Sequence, residues 1–480
     1  MRTIVKNILI VSGLFLIFAG CEDFLEKEPV LQQTSELTLS SYEGLNKAVI
    51  GAYAPLYNED WYGGYFVLSS EMRGGNGKLK PNDAGYQFDA YIWNYTTENT
   101  EELWSMAYTT ISRANNVINA VPAFEGSEEE KAMLQNYKAE CLFLRALGYF
   151  DLVRLYAQPY SHDKSGLGVP VVTETVISEP ARNSVEEVYS QIVKDLKEAE
   201  SLFGDYKREG GADPKAFATK EAAQALLARV YLYMEDWQNA ADYATKVINS
   251  GKFQMWTAAQ YVPVSLNPNG AWGREAEGSE VIFAVHGSLG ATAFPGQEGI
   301  PYMTNPKFHG DACASNDLLN LYEEGDVRRD LFYSDPDGRA IYEGYWWTNK
   351  YPSKTGDGST NNTPVLRLSE MYLIRAEAIH RGASISGVTP VDDYNVIRTN
   401  RGLAKQTGSI VLSDISNERR RELCFEGHII YDIARRKESL VRNDFVAEVN
   451  QNISFPNNKW AVPIPKSEFD GNENMVQNPF

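Results

Sequence analysis

The residues from Cys141 to Tyr156 constrain the fold more than any other segment of this sequence. A helix at the surface of a protein carries one apolar stripe, whereas this segment is apolar on nearly every side of a helix. Neighbouring helices must therefore cover it on more than one face. The segment predicts a stacked array of helices packed around it.

Helical signals recur on both sides of this segment. Ser127 with Glu130, and Ser184 with Glu187, have the spacing of capping boxes, which satisfy the free amide groups at a helix start. We therefore expect helices to begin near residues 128 and 185. Apolar residues at helical spacing predict two earlier helices, and these residues are Leu45, Val49, Ala52, Leu56, Trp104, Tyr108, Ile111 and Ile118.

Two pairs of helices are predicted further along the chain. The first covers residues 220–250, with a break at Glu235 and Asp236 and a closing Gly251, which accepts a left-handed conformation. The second covers residues 369–400, with its break before Pro390.

The first pair has the spacing of a tetratricopeptide repeat at Ala228, Tyr231, Trp237 and Ala240, although Ala244 stands where the repeat has a large aromatic residue. Several helical pairs in one chain favour a repeat-like scaffold. The predicted fold class is mostly α, a tetratricopeptide-repeat-like scaffold of helical pairs with long irregular loops and a few short strands.

Two stretches lack helical periodicity. Residues 61–99 are rich in Gly, Asn, Tyr and Trp, and residues 253–351 contain several prolines and a short strand candidate at 281–285. We expect both to form long loops. Loops held on a rigid scaffold are where binding residues concentrate.

The N-terminus has the pattern of a signal peptide over residues 1–20. Arg2 and Lys6 supply positive charge, and the apolar run that follows is shorter than the ~20 residues of a spanning helix. Phe18-Ala19-Gly20-Cys21 resembles the lipobox of bacterial lipoproteins, in which the cysteine is acylated. An ordinary cleavage site with a chance cysteine is the alternative. Lipid on Cys21 would tie the mature chain to a membrane surface.

Charge limits the partners of this chain. Its 64 acidic and 45 basic residues give a formal net charge of -19, which repels phosphate backbones. We therefore expect no nucleic acid as a ligand.

Neither metal chemistry nor catalysis is predicted. His309 and Cys313 form an isolated pair without further ligands nearby, so we expect no metal site and no other cofactor. The motifs of nucleophile elbows, zinc peptidases, dinucleotide folds and Walker loops are missing from the sequence. We therefore expect no enzyme activity. Paired carboxylates for glycoside hydrolysis leave no sequence pattern, so that alternative stays open.

Several segments resemble, in order along the chain, the SusD/RagB family of surface nutrient-binding lipoproteins of Bacteroidetes. The sequence departs from the family pattern after Tyr156, where the usual glycine is missing, and at its tail, which stops at Phe480. The segments that carry the resemblance are CEDFLE at 21–26, WSMAYTTISRANNVI at 104–118, AECLFLRALGYFDLVRLY at 139–156, RLSEMYLIRAEA at 367–378, ERRRELCFEGHIIYDIAR at 418–435 and PIPKSEFDGNENMVQNPF at 463–480.

The resemblance implies a function and a location. Members of the family capture glycans, and some capture peptides, as lids on a SusC-like TonB-dependent outer-membrane transporter. Glu22, Asp23 and Glu26 look like the signal that exports such lipoproteins to the outer leaflet. The implied organisation is a lipidated tether over 21–38, an N-terminal helical region over 39–252 and a C-terminal region with ligand-binding loops over 253–480. An adaptor that contacts only proteins is the alternative from a different functional class.

Aromatic residues are the candidate ligand contacts, because sugars lay their apolar C–H faces on aromatic rings. The chain contains 28 Tyr and 9 Trp, several of them in the two irregular stretches. Trp346 and Trp347 are adjacent, so both rings cannot be buried on one face of a strand. The predicted ligand-binding residues are Trp61, Tyr62, Arg73 and Asn76 in the early stretch, and Trp272, Tyr302, Trp346 and Trp347 in the later one.

Overall fold

The structure is a computed structural model that describes residues 38–100, 103–204, 208, 214–261, 272, 280–287, 298–353, 356, 358 and 360–480. The predicted signal peptide and Cys21 lie outside the described residues. Within the described part of the chain, no helix combines the length and the apolar composition that a membrane span requires.

Helices account for most of the regular structure. The first eight are α1 (Tyr42–Tyr53), α2 (Tyr65–Gly74), α3 (Phe88–Ile92), α4 (Leu103–Ala120), α5 (Glu128–Tyr156), α6 (Val185–Leu202), α7 (Lys220–Tyr233) and α8 (Trp237–Asn249). They are followed by α9 (Ala258–Tyr261), α10 (Ile300–Met303), α11 (Asn316–Leu319), α12 (Leu368–His380), α13 (Pro390–Asn400), α14 (Leu412–Leu423), α15 (Ile429–Arg435) and α16 (Ser467–Asp470).

Helix α5 is the centre of the array. All residues from 139 to 153 are buried, which confirms that this segment is covered on every side. Helices α4 and α6 pack on α5, α7 packs on α6, and α8 joins α7 to α12. The mostly α architecture of stacked helical pairs is therefore confirmed.

The predicted helix starts and pairs are also confirmed. Ser127 accepts a hydrogen bond from the Glu130 amide (3.2 Å), and Ser184 accepts one from the Glu187 amide (3.2 Å), so both capping boxes form. The first helical pair is α7 and α8, separated by Glu235 at φ +59° and closed by Gly251 at φ +68°. The second pair is α12 and α13.

The expectation of two long loops was wrong in part, since residues 253–351 contain the short helices α9, α10 and α11. Residues 61–99 do not form a single long loop, because they contain helices α2 and α3. All residues of α2 from Phe66 to Gly74 are buried, and the left-handed Gly75 ends the helix. Burial against α15 and α5 stabilises a helix whose sequence shows little amphipathic pattern, since tertiary contacts override weak local preference.

Six short strands form antiparallel pairs within the described residues. They are β1 (Gly77–Leu79), β2 (Val281–Val285), β3 (Ala312–Ala314), β4 (Phe332–Tyr333), β5 (Trp347–Thr348) and β6 (Thr363–Arg367), and the pairs are β1 with β3, β2 with β6, and β4 with β5. The strand predicted at 281–285 is confirmed. Gly77 lies opposite Ala314, and Ala314 in turn bridges to Trp346. This pairing brings parts of the two irregular stretches of the sequence together.

Candidate functional site

Trp61 and Tyr62 anchor the early stretch to helix α5. Both side chains are buried, and the Trp61 indole and the Tyr62 hydroxyl donate to the same carboxylate oxygen of Asp151, at 2.8 and 2.7 Å. Burial raises the pKa of Tyr62 well above its usual value, and the Asp151 charge adds to this effect. Neither residue presents a surface to a ligand in this structure, contrary to the expectation from their loop-like sequence context.

Arg73 and Asn76 are buried as well. The Arg73 guanidinium lies over the rings of Trp93 and Tyr95, at 4.6 and 5.3 Å from their centroids. The Asn76 side chain donates to Glu71 (2.7 Å) and accepts from Arg420 (2.6 Å). Both side chains are occupied by contacts inside the protein. We call Trp61, Tyr62, Arg73 and Asn76 the early cluster.

Trp272 and Trp347 are also core residues. Trp272 packs edge-on against Trp256 and Tyr261, with ring centroids 5.5 and 5.8 Å apart. Trp347 is 0% exposed, and its indole donates to the Gly310 carbonyl at 2.7 Å. The predicted ligand contact of these two rings therefore does not fit the structure, because each ring is enclosed by the protein.

Trp346 and Tyr302 are the predicted residues that remain half-buried. Side chains alternate along a strand, so Trp347 points into the core and Trp346 points outward, as expected for this pair. The Trp346 carbonyl accepts from the Ala314 amide at 2.7 Å, which fixes the backbone beneath its ring. Both residues thus offer ring surface at a defined position.

Tyr302 belongs to a group of half-buried rings. It stacks on Phe308, with centroids 4.6 Å apart, and meets His309 edge-on at 4.9 Å. His309 lies 4.7 Å from the ring of Tyr86, which comes from the early stretch. Gly358, at φ +83°, lies against Tyr302 and Phe308 so closely that a β-carbon there would be 2.8 Å from each ring.

Tyr342 and Tyr345 are two further half-buried rings of the later stretch. Tyr342 packs edge-on against Trp347 at 5.5 Å, beside the carbonyl of Gly310, the neighbour of His309. The Arg339 guanidinium lies 4.6 Å from the centroid of the Tyr342 ring and donates to the Pro306 carbonyl at 2.8 Å. Arg339 thus connects Tyr342 to the segment that precedes Phe308. We call the whole set the aromatic surface; its members are Tyr86, Tyr302, Phe308, His309, Tyr342, Tyr345 and Trp346.

Sequence reasoning missed most members of the aromatic surface. Tyr86, Phe308, Tyr342 and Tyr345 all lie in the irregular stretches, whose aromatic content was the only available signal. Their convergence depends on the pairing of β1 with β3, which joins positions more than 200 residues apart. No local pattern specifies that pairing.

Cations accompany the rings. Lys78 lies over Tyr345 at 4.6 Å and pairs with Asp444 at 2.8 Å. Arg339 pairs with Asp335 at 2.8 Å, and its hydrogen bonds lower the pKa of that carboxyl to about 2. The aspartates thus neutralise both cations.

Arg329 is the exception among these cations. Its guanidinium lies 4.3 Å from the centroid of Trp346 and forms no ion pair with the described residues. The neighbouring Arg328 holds the backbone in place through buried ion pairs with Asp326 (2.7 Å) and Glu418 (2.6 Å). Arg329 therefore carries a charge without an ion-pair partner among the described residues, beside the half-buried ring of Trp346.

The described residues contain no cluster of three or more His, Cys, Asp or Glu side chains that could hold a metal ion. Asp335 begins an Asp-Pro-Asp-Gly sequence that is similar to the start of a calcium-binding loop. Its carboxylate accepts hydrogen bonds from the backbone amide and the guanidinium of Arg339, each at 2.9 Å. That sequence forms a turn closed by Arg339.

Two family models match most of the chain. One, described as starch-binding associating with outer membrane, matches residues 23–232. The other, described as the SusD family, matches residues 302–480. This chain belongs to the SusD/RagB family.

Individual SusD/RagB proteins are similar over nearly the whole length. A SusD-like protein of Bacteroides ovatus is 26% identical over 90% of this chain and 83% of its own length. The starch-binding protein SusD of Bacteroides thetaiotaomicron is 23% identical, over 82% of this chain and 80% of its own. The crystal structure of a SusD superfamily protein from Bacteroides thetaiotaomicron, 29% identical, superimposes with a TM-score of 0.81 and covers 92% of this chain and all of that one.

Proposed function

We propose that this SusD/RagB protein binds glycans at the outer surface of the outer membrane and passes them to a SusC-like TonB-dependent transporter. Lipid on Cys21, after removal of residues 1–20, would hold it there. The family description, which names starch binding and the outer membrane, supports this proposal. The single observation that carries the glycan assignment is the aromatic surface, where half-buried rings are held in fixed positions by strand pairing and ring contacts.

The physical basis is stacking of sugar rings. The C–H face of a pyranose can lie on Trp346 or Tyr302, and a longer chain can continue across Tyr342 and Tyr345. Ring contacts of this kind contribute roughly 0.5–1.5 kcal/mol each beyond the area they bury. Binding is therefore weak at each contact and increases with the number of rings that one polymer engages.

Affinity electrophoresis against a panel of neutral and acidic polysaccharides tests the assignment. We expect retardation by at least one glycan, and we expect Trp346→Ala and Tyr302→Ala to weaken it. Trp237→Ala is the matched control, because Trp237 is also a half-buried tryptophan with an arginine, Arg381, 5.5 Å from its ring centroid, yet it lies on α8. Retardation that is lost equally in the control would contradict a role for the aromatic surface.

Two alternatives predict different results. Capture of peptides predicts no retardation by any glycan and saturable binding of a peptide mixture that Trp346→Ala weakens. A protein adaptor predicts neither. Binding without cleavage is part of the proposal, so incubation with a retained glycan should release no new reducing ends.

Location and partner need separate experiments. Cys21→Ser should release the protein from membranes while leaving glycan retardation unchanged. Native extraction of the unaltered protein should recover it together with a large outer-membrane barrel protein. Recovery of the chain alone would argue against the transporter partnership, without affecting glycan binding.

A further inference from the structure

A second cleft lies apart from the aromatic surface and shares no residue with it. Its volume is about 470 Å³, within the roughly 300–1,000 Å³ typical of small-molecule sites. It is formed by the segment after α5, the first residue of α6, residues 456–461 and the C-terminal tail. We call it the amide cleft, after the side chains Gln158, Asn457, Asn458, Gln477 and Asn478 that line it.

Hydrogen bonds inside the protein hold the walls of the amide cleft. Asn478 donates to the carbonyls of Tyr156 (2.8 Å) and Val462 (2.7 Å). Gln477 accepts from the Ile464 amide at 2.7 Å and donates to the Ile464 carbonyl at 2.8 Å. These two amide side chains are therefore structural, and they tie the C-terminal tail to the end of α5.

Other polar groups in the cleft lack hydrogen-bond partners among the described residues. The Gln158 amide nitrogen donates to the Asn457 and Asn458 carbonyls at 3.2 and 3.3 Å, but its side-chain oxygen is buried without a hydrogen-bond partner. A buried acceptor without a partner is costly, which suggests that a ligand or solvent supplies one. The side chains of Asn458 and His162 form no hydrogen bond with the described part of the chain, and His162 packs edge-on against Phe455 at 5.0 Å.

The charge in the amide cleft disfavours an anionic ligand. Asp163 is the one carboxylate among the lining residues, and one of its oxygens already accepts from the Gly166 amide (2.9 Å) and the Ser165 hydroxyl (3.1 Å). The first amides of α6 are also occupied, because Val185 donates to the Gly166 carbonyl at 2.9 Å. The start of this helix is therefore not free to bind an anion.

We infer that the amide cleft is a second binding site, for a neutral hydroxyl-rich ligand the size of a short saccharide. A hydroxyl group both donates and accepts at one atom, which matches a cleft whose groups without a hydrogen-bond partner in the described part of the chain are the Gln158 oxygen, the second Asp163 oxygen, the Asn458 amide and the His162 imidazole. Leu167 and Pro456 supply apolar wall for the C–H faces of such a ligand. The inference does not depend on the aromatic surface, which binds through other residues.

Ligand-observed NMR on the full chain can separate the two sites. The probes are glucose, galactose, mannose, xylose, maltose and cellobiose, with triglycine as the peptide control. We expect at least one sugar to bind a Trp346→Ala/Tyr302→Ala variant, in which the aromatic surface is impaired. Adding His162→Ala and Asn458→Ala should weaken that binding roughly tenfold, because each change removes a hydrogen-bonding group of the cleft.

Three results would overturn the inference: no sugar binds the Trp346→Ala/Tyr302→Ala variant, binding persists after the cleft changes, or triglycine binds as well as the sugars. His162 and Asn458 are exposed, so the substitutions should leave the melting temperature unchanged. If they lower it, Leu167→Trp provides a second test, because it fills the cleft from an exposed rim position and keeps every polar group. Polysaccharide retardation by the aromatic surface should be unaffected in either case.

Discussion

The early cluster and the aromatic surface have similar residue types but opposite surroundings. In the early cluster, the polar groups of Trp61, Tyr62 and Asn76 are all bonded to other side chains of the protein. In the aromatic surface, Tyr302 and Trp346 keep part of each ring exposed. Residue type alone therefore does not separate enclosed side chains from half-buried ones in this fold. We propose that the enclosed side chains stabilise the fold and that the half-buried rings bind ligand, and the predictions below test this difference.

Asp151→Ala should have the largest effect, and it should act on stability. Asp151 accepts hydrogen bonds from Trp61 and Tyr62 and forms an ion pair with the buried guanidinium of Arg154. Removing the carboxylate therefore leaves the Arg154 charge uncompensated. We expect the free energy of unfolding to fall by about 3–5 kcal/mol, measured by urea denaturation. Folded protein that remains should still bind glycan. A change below about 1 kcal/mol would show that Trp61 and Tyr62 do not anchor the early stretch to α5 through Asp151.

The adjacent tryptophans provide an internal comparison. Trp347 is fully buried, so Trp347→Ala should lower the unfolding free energy by about 3–5 kcal/mol. Trp346→Ala should cost clearly less stability, while weakening glycan binding by roughly three- to tenfold. Denaturation and affinity electrophoresis of both variants measure the two effects. The comparison fails if Trp346→Ala destabilises as strongly as Trp347→Ala.

Glu140, a second buried carboxylate of α5, should make stability depend on pH. Burial raises its pKa from 4.5 to about 7, against the opposing influence of Arg208 and Tyr53. The unfolded chain releases this proton near pH 4.5, whereas the folded protein retains it until about pH 7. The stability contribution of Glu140 is therefore fully present below pH 4.5 and is lost as the pH rises through 7.

The loss from Glu140 amounts to at most about 3 kcal/mol. The glutamine in Glu140→Gln does not titrate. Between pH 5 and pH 8 the unaltered protein should therefore lose more unfolding free energy than the variant does. Denaturation at both pH values measures this shift, and glycan binding should not follow it. A difference that stays constant with pH would contradict the assignment.

Gly358→Ala should have the smallest effect on stability and a clear effect on the site. Gly358 has φ +83°, and a β-carbon would approach the rings of Tyr302 and Phe308 to 2.8 Å. We expect a cost of about 1–2 kcal/mol and weaker glycan binding, because the stacked rings must move. Gly338→Ala is the control: its φ is also positive, at +62°, but a β-carbon there meets open space. Equal binding by both variants would show that the ring positions are unimportant.

Much of the scaffold was predictable because its signals are local. The capping boxes at Ser127 and Ser184, the break at Glu235 and the strand at 281–285 depend on neighbours within a few residues, and all were confirmed. Helix α2 was missed because its stability comes from burial against distant elements. For the candidate site, the sequence indicated the two irregular stretches and, within them, Tyr302 and Trp346.

The sequence by itself determined the helical scaffold, because an all-round apolar segment such as 141–156 can be buried only among other helices. The same sequence carried the family motifs and the aromatic content of the loops. Only the tertiary structure decided which aromatic residues face outward. Asp151 accepts a hydrogen bond from the hydroxyl of Tyr62, which lies 89 residues earlier in the chain. Ala314 pairs with both Gly77 and Trp346. Contacts across such separations depend on how the whole chain packs, so no local pattern can specify them.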